Sequence, residues 1–193
     1  AIVRETCMSF PTASKSVNYL LSRNIVTEDD CLTAPGTGGL GRKSRLLSFN
    51  PGAYCAVGLE FEGSFVDIGL IDLSGAVVHH ECLRFSSFTD QNALRELGKH
   101  VARTIEKAPS PVLGVGLGFP SNVNPSTKDI VSFDTLDINR PVSLEALFKP
   151  FLHEISAEVF VENDVNLACQ GEIFRLGPPS SNSNLCYFTL GTG

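Results

Sequence analysis

The sequence predicts an α/β protein in which a small module of helix and strands precedes a larger domain. Three consecutive strand patterns occupy residues 54–61, 64–72 and 76–85, and a helical pattern follows at 92–108. The continuous apolar run at 112–117 then indicates a buried, parallel strand. Alternation of strands and helices of this kind is typical of α/β folds.

The rest of the larger domain repeats this alternation. A loop is predicted at 121–132 and an amphipathic helix at 143–155. An apolar strand at 159–161 leads directly into another helix, and a last strand is predicted at 185–190. Residues 1–7 have the pattern of the end of a helix, and the last strand ends at a Gly-rich turn with no partner after it, so we expect the chain to be a fragment that lacks material at both ends.

Composition sets limits on the class of protein. The chain is 42% hydrophobic, which is enough for a core, and no segment reaches the ~20 apolar residues of a membrane span. The N-terminus carries no signal pattern, so we expect a cytoplasmic protein without a membrane partner. The six cysteines form no C-x-x-C pair, which argues against zinc or disulfides in this stretch and predicts that most are buried.

The first 49 residues predict a winged helix-turn-helix that lacks its first helix. Ser9 is a candidate N-cap, Pro11 suits the first turn, and the helix ends near residue 23. A short strand at 25–27, a Gly-rich loop with cations and a returning strand at 46–49 complete the pattern. Asn50-Pro51-Gly52 marks the boundary, so the predicted domains are residues 1–49 and 50–193.

This module has the charge and side chains of a DNA-binding element. Residues 1–50 carry six Lys and Arg against four Asp and Glu, whereas residues 51–193 carry nine against seventeen. The alternative is a packing module whose cations are merely solvated. If DNA is bound, the helix face enters the major groove and the loop cations reach phosphates or the minor groove; the candidates are Pro11, Thr12, Ser14, Lys15, Asn18, Arg42, Lys43 and Arg45.

Polar side chains also follow the strand at 159–161, where Glu162, Asn163 and Asp164 precede a helix. Ligands collect at the carboxyl ends of strands in open α/β folds. The alternative is that Asn163 or Asp164 caps the helix, and spacing alone favours the cap. The two interpretations are compatible.

Several of these motifs together resemble one known family. Three strands, helix, strand, helix, strand is the pattern of the ribonuclease H-like half of an actin-like ATPase fold. Residues 159–172 and 185–193, with Gly118-Phe119-Pro120, closely resemble the ROK family (repressors, open reading frames, kinases). Residues 9–26 with Gly41-Arg42 resemble the winged helix-turn-helix of its xylose and N-acetylglucosamine repressors, and the second lobe would begin at about 184–193.

The resemblance implies a sugar bound between two lobes. In the family's kinases the residue that matches Asp164 is the general base, and the residue that matches Asn163 holds the sugar. Two further residues are candidates for sugar binding: Gly63, in the loop that matches the family's phosphate loop, and Thr135, which stands where many members have a sugar-contacting Asn. The family's zinc motif would lie beyond Gly193, so we expect no cofactor in this chain.

The phosphate loop departs from the family pattern Asp-x-Gly-Gly-Thr. The matching residues are Glu60, Phe61, Glu62, Gly63 and Ser64, and a second Gly-rich turn is formed by Gly191, Thr192 and Gly193. Because Glu62 puts bulk and negative charge where a triphosphate would lie, we expect no ATP binding.

The leading hypothesis is therefore a sugar-responsive, DNA-binding transcriptional repressor and not an enzyme. It would bind operator DNA as a homodimer or higher homo-oligomer, with a sugar or sugar phosphate as effector. The alternative is a ROK-type sugar kinase that transfers the γ-phosphate of ATP to a hexose, with Asp164 as base. A third hypothesis is a regulator that has lost ligand binding.

Overall fold

The chain forms two compact units, Ala1–Tyr54 and Cys55–Gly193, in a computed structural model. Among the described residues, no helix is both long and apolar enough to span a bilayer. The structure describes residues 2–29, 45–87, 90–124, 126–127, 129–131, 142–143, 158–177 and 184–189.

The first unit contains two helices followed by a strand pair. Helix α1 spans Ile2–Thr6 and helix α2 spans Phe10–Ser22. Strands β1 (Val26–Asp29) and β2 (Leu46–Phe49) are antiparallel. The predicted helix and both predicted strands are therefore confirmed, while the Gly-rich loop between the strands lies outside the described residues.

Two residues with positive φ turn the chain of the first unit. Cys7, at φ 55°, lies between α1 and α2, and Asn24, at φ 57°, leads from α2 into β1. Asn tolerates this left-handed conformation better than most residues with a Cβ atom. The Asn50 side chain donates to the Asn24 carbonyl at 2.9 Å, and the Asn50 amide donates to the Ile25 carbonyl at 2.9 Å. These bonds fasten the end of the strand pair to the end of α2.

The second unit is built on a five-stranded mixed sheet, which confirms the predicted α/β class. Its strands are β3 (Cys55–Glu62), β4 (Phe65–Asp72), β5 (Val77–Arg84), β6 (Val112–Phe119) and β10 (Glu158–Asn163), in the order β10-β6-β3-β4-β5. Strands β3, β4 and β5 are antiparallel neighbours. Strand β6 is parallel to both β3 and β10, as its continuous apolar sequence predicted.

One face of this sheet carries the core. Side chains alternate along β3, so Val57, Leu59 and Phe61 are buried while the residues between them face the other side. Helix α3 (Gln91–Glu106) packs Leu94, Leu97 and Val101 into the same cluster. Burying a side chain of this size stabilises the fold by roughly 1.5–3 kcal/mol. Phe61 also stacks on Phe119 with ring centroids 4.3 Å apart.

Two predictions for the second unit are wrong, and a third lies almost entirely outside the described residues. The predicted loop contains strands β7 (Val123–Asn124) and β8 (Asp129–Ile130), and β8 pairs with β9 (Val142–Ser143). The predicted helix therefore does not begin at Ser143, and residues 144–155 lie outside the described part. Residues 184–189 form neither helix nor strand, because none of the described strands pairs with them.

The prediction that most cysteines are buried is also wrong. Of the five in the described part of the chain, Cys55 is buried, Cys169 is partly buried, and Cys7, Cys82 and Cys186 are exposed. Cys82 shows the reason: it lies on edge strand β5, on the face that α3 does not cover.

Candidate functional site

Side chains at the junction between strand β10 and helix α4 (Asp164–Leu176) cap the start of the helix. The Asn163 side-chain oxygen accepts from the Asn166 amide at 3.1 Å. Glu162 accepts from the Asn163 amide at 2.8 Å and from the Asn166 side chain at 3.1 Å. The bond from the Asn166 backbone amide satisfies one of the N–H groups that a helix start leaves without intrahelical partners. The predicted capping role of Asn163 is confirmed.

The Asn163 side chain also fixes the loop after β6. Its amide nitrogen donates to the carbonyl of Ser121 at 3.2 Å and to that of Phe119 at 3.4 Å. Two hydrogen bonds use both donors of an Asn amide. A sugar hydroxyl at Asn163 would therefore have to donate to the remaining lone pair of its oxygen, or replace one of these contacts.

A cavity of about 870 Å³ lies against the sheet face opposite α3. This volume is within the range of small-molecule sites. Its floor consists largely of glycines, because a glycine leaves room above a strand; they are Gly58, Gly69, Gly114, Gly116 and Gly118. Asp164 and Leu167 of α4 form part of the wall. A Cβ atom at Gly118 would lie 3.2 Å from the Leu167 side chain, which would then have to shift by a few tenths of an ångström.

Acidic groups define the chemistry of the cavity. Glu60, Asp67 and Asp164 line it, and a hydrogen bond of 2.8 Å joins the Asp67 carboxylate to the His80 ring. Partial desolvation and then the neighbouring charges of Asp164, Asp67 and Glu62 raise the pKa of Glu60 above its usual value. Carboxylates of this kind accept hydrogen bonds from ligand hydroxyl groups. They repel a phosphate.

The phosphate loop takes the form of a tight hairpin. Strand β3 continues to Glu62, which pairs with Phe65, so Gly63 and Ser64 form the two-residue turn. Gly63 has φ 56°, a conformation that favours glycine. Glu62 lies on the same side of β3 as Glu60. Gly63 and Ser64 do not line the cavity. Thr135, Gly191, Thr192 and Gly193 lie outside the described residues.

The first unit presents a polar helix face. Pro11, Thr12, Ser14, Lys15 and Asn18 are all exposed on α2, and α2 contains no acidic residue. Arg42 and Lys43 lie outside the described residues. Arg45 is described and forms an ion pair with Glu28 on β1. Its charge is therefore partly neutralised within the unit.

Sequence reasoning missed three residues that the structure makes candidates for a functional role. Asp67 and His80 line the cavity, and Phe10 is 74% exposed at the start of α2. The pairing of Glu60 with Asp67 could have been found by aligning the two strand patterns about their turn. In the part of the chain that the structure describes, no cluster of His, Cys, Asp and Glu could hold a metal ion.

Comparison with protein families matches residues 56–193 to the model described as ROK family. Over 193 residues the chain is 26% identical to a xylose repressor of Bacillus spizizenii, covering 97% of this chain and 47% of that protein. The chain thus spans about half the length of the curated relatives it matches.

Solved structures show the same fold. A ROK family transcriptional regulator, a homologue of the E. coli MLC protein, has a TM-score of 0.64 at 17% identity over 85% of this chain and 40% of its own. A ROK family glucokinase from Streptomyces griseus, in complex with glucose and AMPPNP, has a TM-score of 0.53 at 21% identity over 63% of this chain and 36% of its own. Residues 55–193 make up less of the chain than the 85% that this regulator covers, so the structural similarity extends into the first unit.

Proposed function

Because this chain belongs to the ROK family, we propose that it is part of a sugar-responsive transcriptional repressor. Residues 1–54 bind operator DNA, and the second unit senses the sugar. One observation carries this proposal: the similarity to a xylose repressor extends over 97% of the chain, whereas the family match begins at residue 56. The first unit is therefore an addition to the family domain that the repressor shares.

The first unit acts as a winged helix-turn-helix. α1, the turn at Cys7 and α2 form the helix-turn-helix, and the β1–β2 pair forms the wing. α2 enters the major groove, where Lys15 and Asn18 contact bases or phosphates. Two copies in a homodimer place two α2 helices about one helical turn of DNA apart. Because the protein binds operator DNA, it acts in the cytoplasm, where that DNA lies.

The second unit supplies the sugar response. Asp164 lines the cavity at the junction of β10 and α4, with Glu60 and Asp67 on its floor. A sugar whose hydroxyl groups donate to these carboxylates is the effector, and a sugar phosphate would have to keep its phosphate group away from them. It lowers DNA affinity only if it binds the DNA-free conformation more tightly than the DNA-bound one. The cavity therefore changes shape between the two states.

A sugar kinase is the second candidate, and the position of Asp164 favours it. A carboxylate at the rim of a cavity can take a proton from a bound hydroxyl group. Glu62 opposes this function, because it stands where the family's phosphate loop has a glycine and puts negative charge where a nucleotide phosphate would lie. Phosphorylation of a hexose by the intact protein with ATP would establish the kinase and remove our reason for excluding ATP.

A mobility-shift assay with the intact protein and the DNA upstream of its own gene tests the proposal. We expect a specific shift that a monosaccharide abolishes, and a weaker shift for Lys15→Ala. Lys99→Ala on α3 is the matched control, since Lys99 is an exposed lysine of the second unit, paired with Glu96. Absence of a specific shift on every upstream fragment would refute the repressor function.

A further inference from the structure

We propose that Phe10 contacts the methyl group of a thymine in the operator and so selects an A·T pair at that position. The inference rests on the proposed DNA-binding function and adds a specificity residue to it. Phe10 is the first residue of α2, and its side chain is 74% exposed. Residues near the N-terminus of a recognition helix are the ones that reach base edges.

The helix cap explains why Phe10 is held in this place. The Ser9 hydroxyl accepts from the Thr12 amide at 3.4 Å and shares a hydrogen bond with the Thr12 hydroxyl at 2.8 Å. The helix therefore begins at Phe10, one turn before Ser14 on the same side. The buried residue of α2 is Ala13, so the unit's core does not take up the ring of Phe10.

The side chains around Phe10 determine what it can recognise. α2 contains no Arg, Gln, Asp or Glu, so Lys15, which only donates hydrogen bonds, and Asn18, whose amide donates and accepts, are its charged and amide side chains. The hydroxyl groups of Ser14 and Ser16 can either donate or accept and discriminate weakly. The thymine C5-methyl is the apolar group that the major groove displays, and a phenyl ring is a partner for it.

Replacing thymine by deoxyuridine removes this methyl group and nothing else. A duplex is first selected from a random pool with the intact wild-type protein, and each thymine is then replaced in turn. The dissociation constant is measured by fluorescence anisotropy for wild type, Phe10→Ala and Phe10→Leu. Tyr19→Ala is the matched control, because Tyr19 is an aromatic residue on α2 that is 57% exposed near the other end.

We expect one thymine per half-site at which deoxyuridine weakens wild-type binding about fourfold, the equivalent of one buried methyl group. Phe10→Ala abolishes the difference between thymine and deoxyuridine at that position, and Tyr19→Ala retains it. Wild-type binding that is insensitive at every thymine, or sensitivity that survives in Phe10→Ala, overturns the inference and leaves the repressor function standing. If Phe10→Ala fails to fold, Phe10→Leu takes its place: its smaller, non-aromatic side chain should reduce the difference between thymine and deoxyuridine, and an unchanged difference overturns the inference. Failure to select any duplex overturns the repressor function and this inference with it.

Discussion

Glu60 on β3 lies directly opposite Asp67 on β4, so two carboxylates adjoin each other on the floor of the cavity. His80 on β5 pairs with Asp67 at 2.8 Å. Glu60 faces the charges of Asp164 and Glu62 as well, which together with partial desolvation raise its pKa. Like charges directly opposite each other across a sheet are destabilising. The two opposed carboxylates on the cavity floor therefore lower the stability of the fold.

We predict that Glu60→Gln stabilises the protein at neutral pH. A carboxyl group whose pKa is raised by folding contributes stability that is present below its usual value of 4.5 and is lost as pH rises through the raised value. Gln cannot ionise, so at pH 7 we expect the free energy of unfolding of the variant to exceed that of wild type by about 0.5 kcal/mol. Urea unfolding at about pH 7 and about pH 4 measures the difference, which should vanish at the lower pH. Glu5→Gln, on an exposed residue of helix α1, should give no gain at either pH, and an equal gain there would contradict the assignment to Glu60.

The second prediction concerns the glycines of the cavity floor. A Cβ atom at Gly114 would lie 2.9 Å from the Glu158 carbonyl oxygen of β10. Gly114→Ala should therefore push β10 away from β6 and lower the free energy of unfolding by about 1–3 kcal/mol. Gly58→Ala is the matched control, because its Cβ atom would meet nothing within 4 Å. Equal denaturant midpoints for both variants would show that β10 does not pack as described.

The third prediction concerns the turn between α1 and α2. Cys7 has φ 55°, a conformation that strains a residue with a Cβ atom. Cys7→Gly should raise the free energy of unfolding of the first unit by about 0.5–1 kcal/mol, because relief of strain exceeds the entropy cost of glycine. Thermal unfolding followed by circular dichroism provides the measurement. Cys7→Ala keeps the Cβ atom and should give no gain; an equal gain would mean that the thiol, and not the backbone, is responsible.

The fourth prediction concerns Arg45, whose ion pair with Glu28 competes with binding to a DNA phosphate. Glu28 forms an ion pair with Arg45. Glu28→Gln releases this arginine for a phosphate, so log K for DNA should fall more steeply with log salt, by about 0.9. Anisotropy titrations over a series of salt concentrations measure the slope. In the double variant with Arg45→Ala the increase should disappear, and its persistence would show that Arg45 does not contact DNA.

The helices and strands of both units were largely predictable, because their signals are local. The cap at Ser9, the alternation along β3 and the apolar run of β6 each specify one element without reference to the rest of the chain. The short strands β7 to β9 were not predictable, since two-residue strands have no periodicity to detect. The strand predicted at 185–190 failed because a strand also requires a neighbour, which its own sequence does not reveal.

The candidate site was predictable only in part. The motif at Glu162 to Asp164 identified the junction. Spacing could not show that Asn163 caps the helix and binds the loop after β6, or that Asp164 lines the cavity. Asp67 and His80 belong to no motif, and their place depends on the register of three strands. The roles of Asn163, Asp164, Gly63 and Thr135 towards a sugar remain predictions.

The most direct test of the repressor function is the effect of sugar on DNA affinity in the intact wild-type protein and in Asp164→Asn. Fluorescence anisotropy with the protein's own upstream DNA, titrated with a panel of monosaccharides and their phosphates, gives both quantities. We predict that one sugar weakens wild-type DNA binding at least about tenfold, a typical allosteric coupling, and that Asp164→Asn binds DNA equally well but does not respond. Loss of DNA affinity in Asp164→Asn without sugar, or an unchanged response to the sugar, would contradict the assignment of sugar sensing to this cavity.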